Sequence, residues 1–225
     1  MADLWNLSNK EELLRFQHEY SQNILIQPLV KQTGIVIGYD STICDNRTIG
    51  NFTYFDLETC DIIDVQNEVL TTNNEEYESG YLALREIPIF KILWENRKFE
   101  PDLIVVDGNG ILHQRKCGLA THISFLTNRP TFGIAKKLVG GNFKQFEYRK
   151  GSFSEIIWNE ETLGVALCTN DNTKPVFVSI GNRITLEECI TISLNFSKFR
   201  IPELTRQPDI SSREHCRNLS KPGTI

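Results

Sequence analysis

Three acidic residues stand where an acidic side chain is costly. Along Gly34-Ile-Val-Ile-Gly-Tyr-Asp40, strand alternation puts Val36, Gly38 and Asp40 on one face, so Asp40 is expected to close an apolar strand at its carboxyl end. Leu103, Val105 and Asp107 repeat the arrangement, and Gly108-Asn109-Gly110 follows at once. The carboxyl ends of strands in open α/β sheets are where loops diverge and ligands gather, although a lone Asp before Gly also serves simply to cap a turn. Glu86 falls four residues after Leu82 and four before Phe90, on the apolar stripe of its own helix. Unpaired there, it would be expensive to desolvate, so it either pairs with Arg or Lys or joins the two aspartates around a cation. Oxygen-only donors favour Mg²⁺ or Mn²⁺ over zinc. Such ions activate water and stabilise the leaving oxygen of a phosphodiester.

The charge pattern suits that chemistry better than the net charge does. A balance of -5 and a pI near 5.5 run against the basic surface usual in nucleic-acid binders. The charges are segregated, however. From Asn51 to Phe90 nine acidic residues face Arg85 alone, and from Ile111 to Lys150 eight basic residues face Glu147 alone. Segregation of this kind can build a basic face on an acidic protein; the plainer alternative is an ordinary solvated surface.

The elements that must position these residues follow from periodicity and caps. Ser8 to Tyr20 reads as a short helix, with Ser8 and Glu11 at capping-box spacing. Gly34–Asp40, Asn51–Leu57 and Ile62–Leu70 read as three strands of a meander. Gly80–Arg97 is an amphipathic helix despite Pro88, and Leu103–Val106 and Thr131–Ala135 are buried strands joined by a crossover helix over Ala120–Leu126. Leu163–Cys168 and Val176–Ile180 read as strands, and Thr185–Lys198 as a helix capped by Thr185 with Glu188. Strands first, then alternating helix and strand, argue for an α/β fold: a mixed sheet flanked by helices, ribonuclease H-like in order. The 225 residues suit one catalytic domain over 1–225, with 218–225 as a frayed tail.

Val106-Asp107-Gly108-Asn109-Gly110-Ile111-Leu112-His113, followed by Gly133-Ile134-Ala135-Lys136-Lys137, resembles the endonuclease V family. Gly80-Tyr-Leu-Ala-Leu-Arg-Glu86 and the late Phe199-Arg-Ile-Pro-Glu-Leu-Thr-Arg206-Gln-Pro-Asp209 match the same family in the same order. The resemblance implies Mg²⁺-dependent hydrolysis one nucleotide to the 3′ side of inosine, leaving 3′-hydroxyl and 5′-phosphate ends. It implies that Asp40 and Asp107 bind metal, that Glu86 is the essential glutamate and that Lys136 is the motif lysine. His113 matches the motif histidine, and Asp209 falls where the family places a late Asp or His near the metals. Tyr77 matches a wedge tyrosine, while Gly80, Leu82, Gly108, Asn109 and Gly110 correspond to the pocket for the extruded base, where glycine permits close backbone approach. The sequence departs from the family at Glu76 and Ser79, which flank the wedge where relatives carry proline, and at Asn182, where a histidine is usual. The segment 199–217 looks closer to animal members, which implies inosine-containing RNA as partner, with inosine-containing DNA left open.

No membrane segment or secretory leader is legible. The six scattered cysteines form no CxxC pair, which leads to the expectation of a reducing compartment, the cytoplasm or also the nucleus, without disulfides; separately, the chain is expected to be a monomer. Two other readings stay open: a nucleic-acid-binding protein of this fold without cleavage, and a nuclease indifferent to inosine.

Overall fold

The computed structural model describes residue 5 and residues 9–71 and 80–220. Its centre is a nine-stranded mixed sheet in the order β3-β2-β1-β4-β5-β9-β8-β7-β6. Strands β1 (Ile35–Cys44), β2 (Arg47–Asp56) and β3 (Ile62–Thr71) form the expected antiparallel meander. Against β1 lie β4 (Leu103–Asp107) and then β5 (Thr131–Ala135), both parallel to it. The far half is antiparallel, with β9 (Val176–Asn182) on β5, then β8 (Glu161–Leu167), β7 (Phe153–Trp158) and the two-residue β6 (Asn142–Phe143).

Helices cover both faces. On one lie α1 (Lys10–Ser21), α2 (Leu82–Glu95) and α3 (Leu119–Thr127), whose Leu13, Phe16, Ala83, Ile87, Phe90 and Ile123 pack on Ile37, Tyr39, Ile104 and Val106. On the other lie α4 (Leu186–Asn195) and α5 (Glu203–Leu219), where Cys189, Ile192 and Leu204 join Val36, Leu103, Val105 and Phe132 in a second core. The period-two alternation of β1 and β4 thus feeds two layers, as expected for strands buried on both faces. The α4 capping box forms as the spacing implied, between Thr185 and Glu188.

Four expectations need correction or restatement. Strand β1 does not end at Asp40 but runs on to Cys44, because β2 continues to pair with it down to Cys44↔Arg47. What ends near Asp40 is the parallel neighbour: the last β1–β4 pair is Tyr39↔Val106, so Asp40 stands at the notch where β4 stops. At α1 the observed cap is Asn9, whose Oδ1 accepts from the Glu12 N–H at 3.0 Å; Ser8 lies outside the described residues. The proposed tail begins inside α5, which reaches Leu219, while 221–225 are outside the described residues.

The fourth concerns cysteine. Cys44 and Cys216 are joined in a disulfide across 172 positions of sequence, with Cα atoms 5.7 Å apart. The missing CxxC pattern excluded only local pairing, and the inference of a reducing compartment loses its premise. Among the described residues, no helix is long and apolar enough to cross a membrane.

Candidate active site

The notch beside β4 gathers carboxylates from three layers. Asp40 and Asp107 come from the sheet, Glu86 from the second turn of α2 and Asp209 from α5. Gly38 brings the last of these into reach. A Cβ on Gly38 would stand 2.0 Å from the Leu204 carbonyl oxygen and 3.1 Å from Pro208 Cγ, so only glycine lets the first turns of α5 lie directly on β1. Further along the same contact, Thr42 Oγ1 and Ser212 Oγ are 2.7 Å apart, and the Cys44–Cys216 disulfide fixes the far end.

Each carboxylate has a different environment. Asp40 is largely enclosed; its Oδ1 accepts from the Ser41 N–H at 2.8 Å, and no basic side chain of the described residues pairs with it. Burial, followed by the charges of Asp107 and Glu86, raises its pKa well above the ordinary carboxylate range. Asp107 is likewise raised, by burial first, with Lys136 pulling the other way. Lys136 follows β5 and places Nζ 2.5 Å from Asp107 Oδ2 and 3.7 Å from Asp209 Oδ2. Burial alone would depress this ammonium, but Asp107, then Asp40 and Asp209, hold it above the usual lysine value. Asp209 also receives Arg213 Nε at 2.6 Å. Glu86 is buried, as its place on the apolar stripe implied, and Tyr39 Oη donates to its Oε2 at 2.8 Å. Arg85 Nη2 lies 3.6 Å from the other carboxylate oxygen. Tyr39 carried no signal in the sequence beyond its place next to Asp40 on the opposite face of the strand.

These donors fit a hard divalent cation in kind. All are oxygen, two carboxyls are destabilised as anions by burial and by each other, and Asp40 lacks a counter-charge of its own. Among the described residues, no three His, Cys, Asp or Glu side chains already converge as a ligand set; the Lys136 ammonium provides the positive charge between Asp107 and Asp209.

Next to the notch, a cavity of about 150 Å³ opens between the start of α2 and the loop after β4. Of the residues matched to the base pocket, Gly80, Leu82 and Asn109 line it, as does His113. Gly108 and Gly110 do not. A Cβ on Gly110 would stand 1.9 Å from the Ile180 carbonyl oxygen, which makes this glycine a close-packing position beneath the wall. The remaining lining, Gln17, Ala83, Gln114, Gly118, Leu119, Val139 and Trp158, was not singled out from sequence, because it is assembled from five separate segments. Gly80 has φ +88, and its carbonyl accepts from Arg115 Nη2 at 2.6 Å; Arg115 also bonds Gln17 at 2.5 Å. His113 Nδ1 accepts from the Arg115 N–H at 3.2 Å, and burial, then the Arg115 charge, lower its pKa to about 4. It is therefore a neutral imidazole at pH 7. Asn182 is turned away to a structural task, its Oδ1 accepting from the Leu25 N–H at 2.7 Å. Tyr77, Glu76 and Ser79 lie outside the described residues.

The basic run is only partly available as a surface. Arg129 pairs with Glu100, Lys116 with Glu161 and Arg149 with Glu147, while Lys136 enters the carboxylate notch.

Comparison with known proteins decides what such a notch and cavity belong to. The family model Endonuclease V matches residues 18–210. The chain belongs to the endonuclease V family. An endonuclease V of Dictyoglomus thermophilum is 37% identical over 205 residues, 91% of this chain and 90% of that one. The crystal structure of the Streptomyces avermitilis endonuclease V superposes with a TM-score of 0.88 at 31% identity, covering 96% of both chains. The Ciona intestinalis endonuclease V, solved with a 23mer DNA containing an inosine followed by a ribo-adenosine, superposes at 0.79 with 25% identity, covering 94% of this chain and all of that one. The endonuclease V-family chain described here is thus a nuclease, a phosphodiester hydrolase, on the mixed α/β fold that its element order implied.

Proposed function

We propose that this endonuclease V-family chain hydrolyses the phosphodiester one nucleotide to the 3′ side of inosine, using Mg²⁺ for which Mn²⁺ substitutes, and releases 3′-hydroxyl and 5′-phosphate ends. Inosine-containing single-stranded RNA is the preferred substrate, with deoxyinosine DNA also cut, and one chain suffices. The observation that carries this reading is the adjacency of cavity and carboxylates: α2 supplies Leu82 to the cavity and Glu86, one turn on, to the notch, while β4 ends in Asp107 two residues before Asn109 of the cavity wall. A base held in the cavity therefore presents its own strand to the notch.

Asp40, Asp107 and Glu86 would hold the divalent cation, with Asp209 close by. When bound, the cation supplies an activated water and charge stabilisation for the leaving oxygen. The residues of the chain do the rest. Tyr39 fixes the Glu86 carboxylate by its 2.8 Å hydrogen bond, so that side chain is pre-oriented. Lys136, whose Nζ lies 2.5 Å from Asp107 Oδ2, holds a positive charge at the notch that would stabilise the scissile phosphate. His113, neutral, has Nδ1 accepting from the Arg115 N–H and a hydrogen bond to the Gly80 backbone, so its ring ties the loop after β4 to the start of α2 and fixes the cavity wall. Inosine differs from adenosine in carrying N1–H and O6, so main-chain and side-chain groups of the wall that match this pattern leave adenine mispaired. Tyr77 serves as the wedge that keeps the strand open.

The test is cleavage of matched inosine and adenosine oligonucleotides, each as RNA and as DNA, with Mg²⁺, Mn²⁺ or chelator. Faster cutting of inosine RNA than of inosine DNA is expected, with neither adenosine control cut. Tight binding without cleavage under any divalent ion would favour a non-catalytic role, and equal cutting of the adenosine strands would favour a nuclease indifferent to inosine.

A further inference from the structure

The outer wall of the cavity is aromatic, and it comes from a part of the chain remote from every motif. Strands β7 and β8 are joined by a tight hairpin in which Asn159 and Glu160 both take left-handed φ values, 52 and 65, so that Trp158 and Glu161 face each other across its end. Two left-handed central residues are the signature of a turn whose twist matches the strands it joins, and the hairpin tip is accordingly well defined. The Trp158 ring lies flat against the backbone at Gly140: a Cβ there would meet the ring at 2.5 Å, which makes Gly140 the seat of the indole. Glu161, beside Trp158 on the partner strand, receives Lys116 Nζ at 2.5 Å, and Lys116 belongs to the loop that carries His113, Gln114 and Gly118 of the cavity. The hairpin is therefore moored to two walls of the cavity, at Gly140 beneath and at Lys116 beside.

A half-buried tryptophan held in this way and facing a cavity is not needed to fill the core, which is complete without it: Trp158 only packs against the buried cluster from outside. Its indole is the largest side chain of the lining and its one extended aromatic plane, beside the aliphatic Leu82, Ala83, Leu119 and Val139. We infer that Trp158 is a binding residue for the extruded base, its indole packing against the base from the β7–β8 side while the opposite walls read the base edge. This inference rests on the reading of the cavity as the base site. Base–aromatic contact is worth about 1–3 kcal/mol and is tolerant of base identity, so Trp158 adds affinity for a flipped base and leaves discrimination of inosine from adenosine to the polar wall.

The experiment compares wild type with Trp158→Ala and Trp158→Phe on an inosine RNA oligonucleotide with Mg²⁺. Trp158→Ala is expected to raise KM by about 10–100-fold, the factor corresponding to that contact energy, with kcat changed less than threefold and the adenosine strand still uncut; Trp158→Phe should restore most of the loss. In a Trp5→Phe, Trp94→Phe protein, Trp158 is the sole tryptophan, and its emission should change on binding the inosine strand and not on binding the adenosine strand. An unchanged KM in folded Trp158→Ala, or sole-tryptophan emission indifferent to the inosine strand that the protein nevertheless binds, overturns the inference. If wild type itself fails to select inosine, the reading of the cavity fails first.

Discussion

The Lys136 ammonium lies 2.5 Å from Asp107 and 3.7 Å from Asp209, so one cation links the end of β4 to α5 across the carboxylate notch. That link predicts how the two partners separate by mutation. Asp107→Asn removes a metal-holding charge and should lower cleavage by about 10²–10³-fold while leaving inosine-strand affinity within a few fold, since the phosphate contacts persist. Lys136→Met should lower cleavage comparably. It should also destabilise the metal-free protein at pH 7, because the half-buried Asp40 and Asp107 lose their nearest positive charge. Both carboxyls have raised pKa values, so the fold takes up protons at a higher pH than the unfolded chain does, and the Lys136→Met deficit should shrink as pH falls towards 5. Thermal melts at two pH values with chelator, beside single-turnover cleavage with Mg²⁺, check all of this. A deficit that grows at pH 5 would contradict the assignment.

Gly38→Ala tests the seating of α5. Its Cβ would sit 2.0 Å from the Leu204 carbonyl, a backbone group that cannot turn aside, so the helix must shift. Overpacking of this kind costs about 1–3 kcal/mol. Because α5 carries Asp209, cleavage should fall further than stability explains, whereas Gly50→Ala, which meets only the Ile89 and Leu93 side chains, should cost stability with little change in kcat at a temperature where the protein is folded. Denaturant melts and single-turnover rates at 25 °C separate the two; parallel losses in both variants would argue against a positioning role for Gly38.

The carboxylates show why part of this site was legible and part was not. Asp40, Asp107 and Glu86 stood out because each interrupts a short-range pattern, alternation or helical stripe, that the sequence states locally. Asp209 had no such pattern. Its helix α5 begins after Pro202 and contains Pro208, which read as breakers, yet Pro208 is buried against the sheet opposite Gly38. The strands β6 and β7 were missed because β6 is only two residues long, while in β7 the apolar Phe153 and Ile157 are exposed and only Ile156 is fully buried, which leaves no clean period-two signal. Trp158 lies 75 residues after Ala83, and Gln17 lies 63 residues before Gly80, so only the fold brings them to one cavity. The disulfide escaped for the same reason, its partners being 172 positions apart.

His113 carries a pH dependence of the opposite sign to the carboxylates. Its pKa is lowered from 6.5 to about 4 by burial, so the unfolded chain protonates it first as pH falls. Its contribution to stability is full above about pH 6.5 and is lost progressively down to about pH 4, by up to roughly 3 kcal/mol. Histidine NMR should show a neutral imidazole throughout pH 5–7, and His113→Gln should flatten the fall in melting temperature between pH 6.5 and 4.5. An imidazole that titrates near 6.5 would contradict its place as a buried neutral ring in the cavity wall.

Reducing the Cys44–Cys216 disulfide should lower the melting temperature, by about 2–4 kcal/mol of stability, since it closes a loop of most of the chain. Cleavage at 25 °C should survive, because the Leu204 packing on Gly38 and the Thr42–Ser212 hydrogen bond still hold the Asp209 end of α5. Calorimetry with and without reductant, and the same comparison for Cys216→Ser, check it; identical melts would mean the bond contributes nothing in solution.

The central claim is that the cavity beside Asp107 selects inosine and delivers its strand to the carboxylates. Mapping the cut on a single RNA sequence carrying either inosine or adenosine at one position, under single turnover with Mg²⁺, tests it most directly. One cut is predicted, one nucleotide to the 3′ side of the inosine, with none at the matched position of the adenosine strand, and with the same cut slowed by about 10²–10³-fold in Asp107→Asn. Cuts placed without regard to the inosine, or equal cutting of both strands, would contradict it.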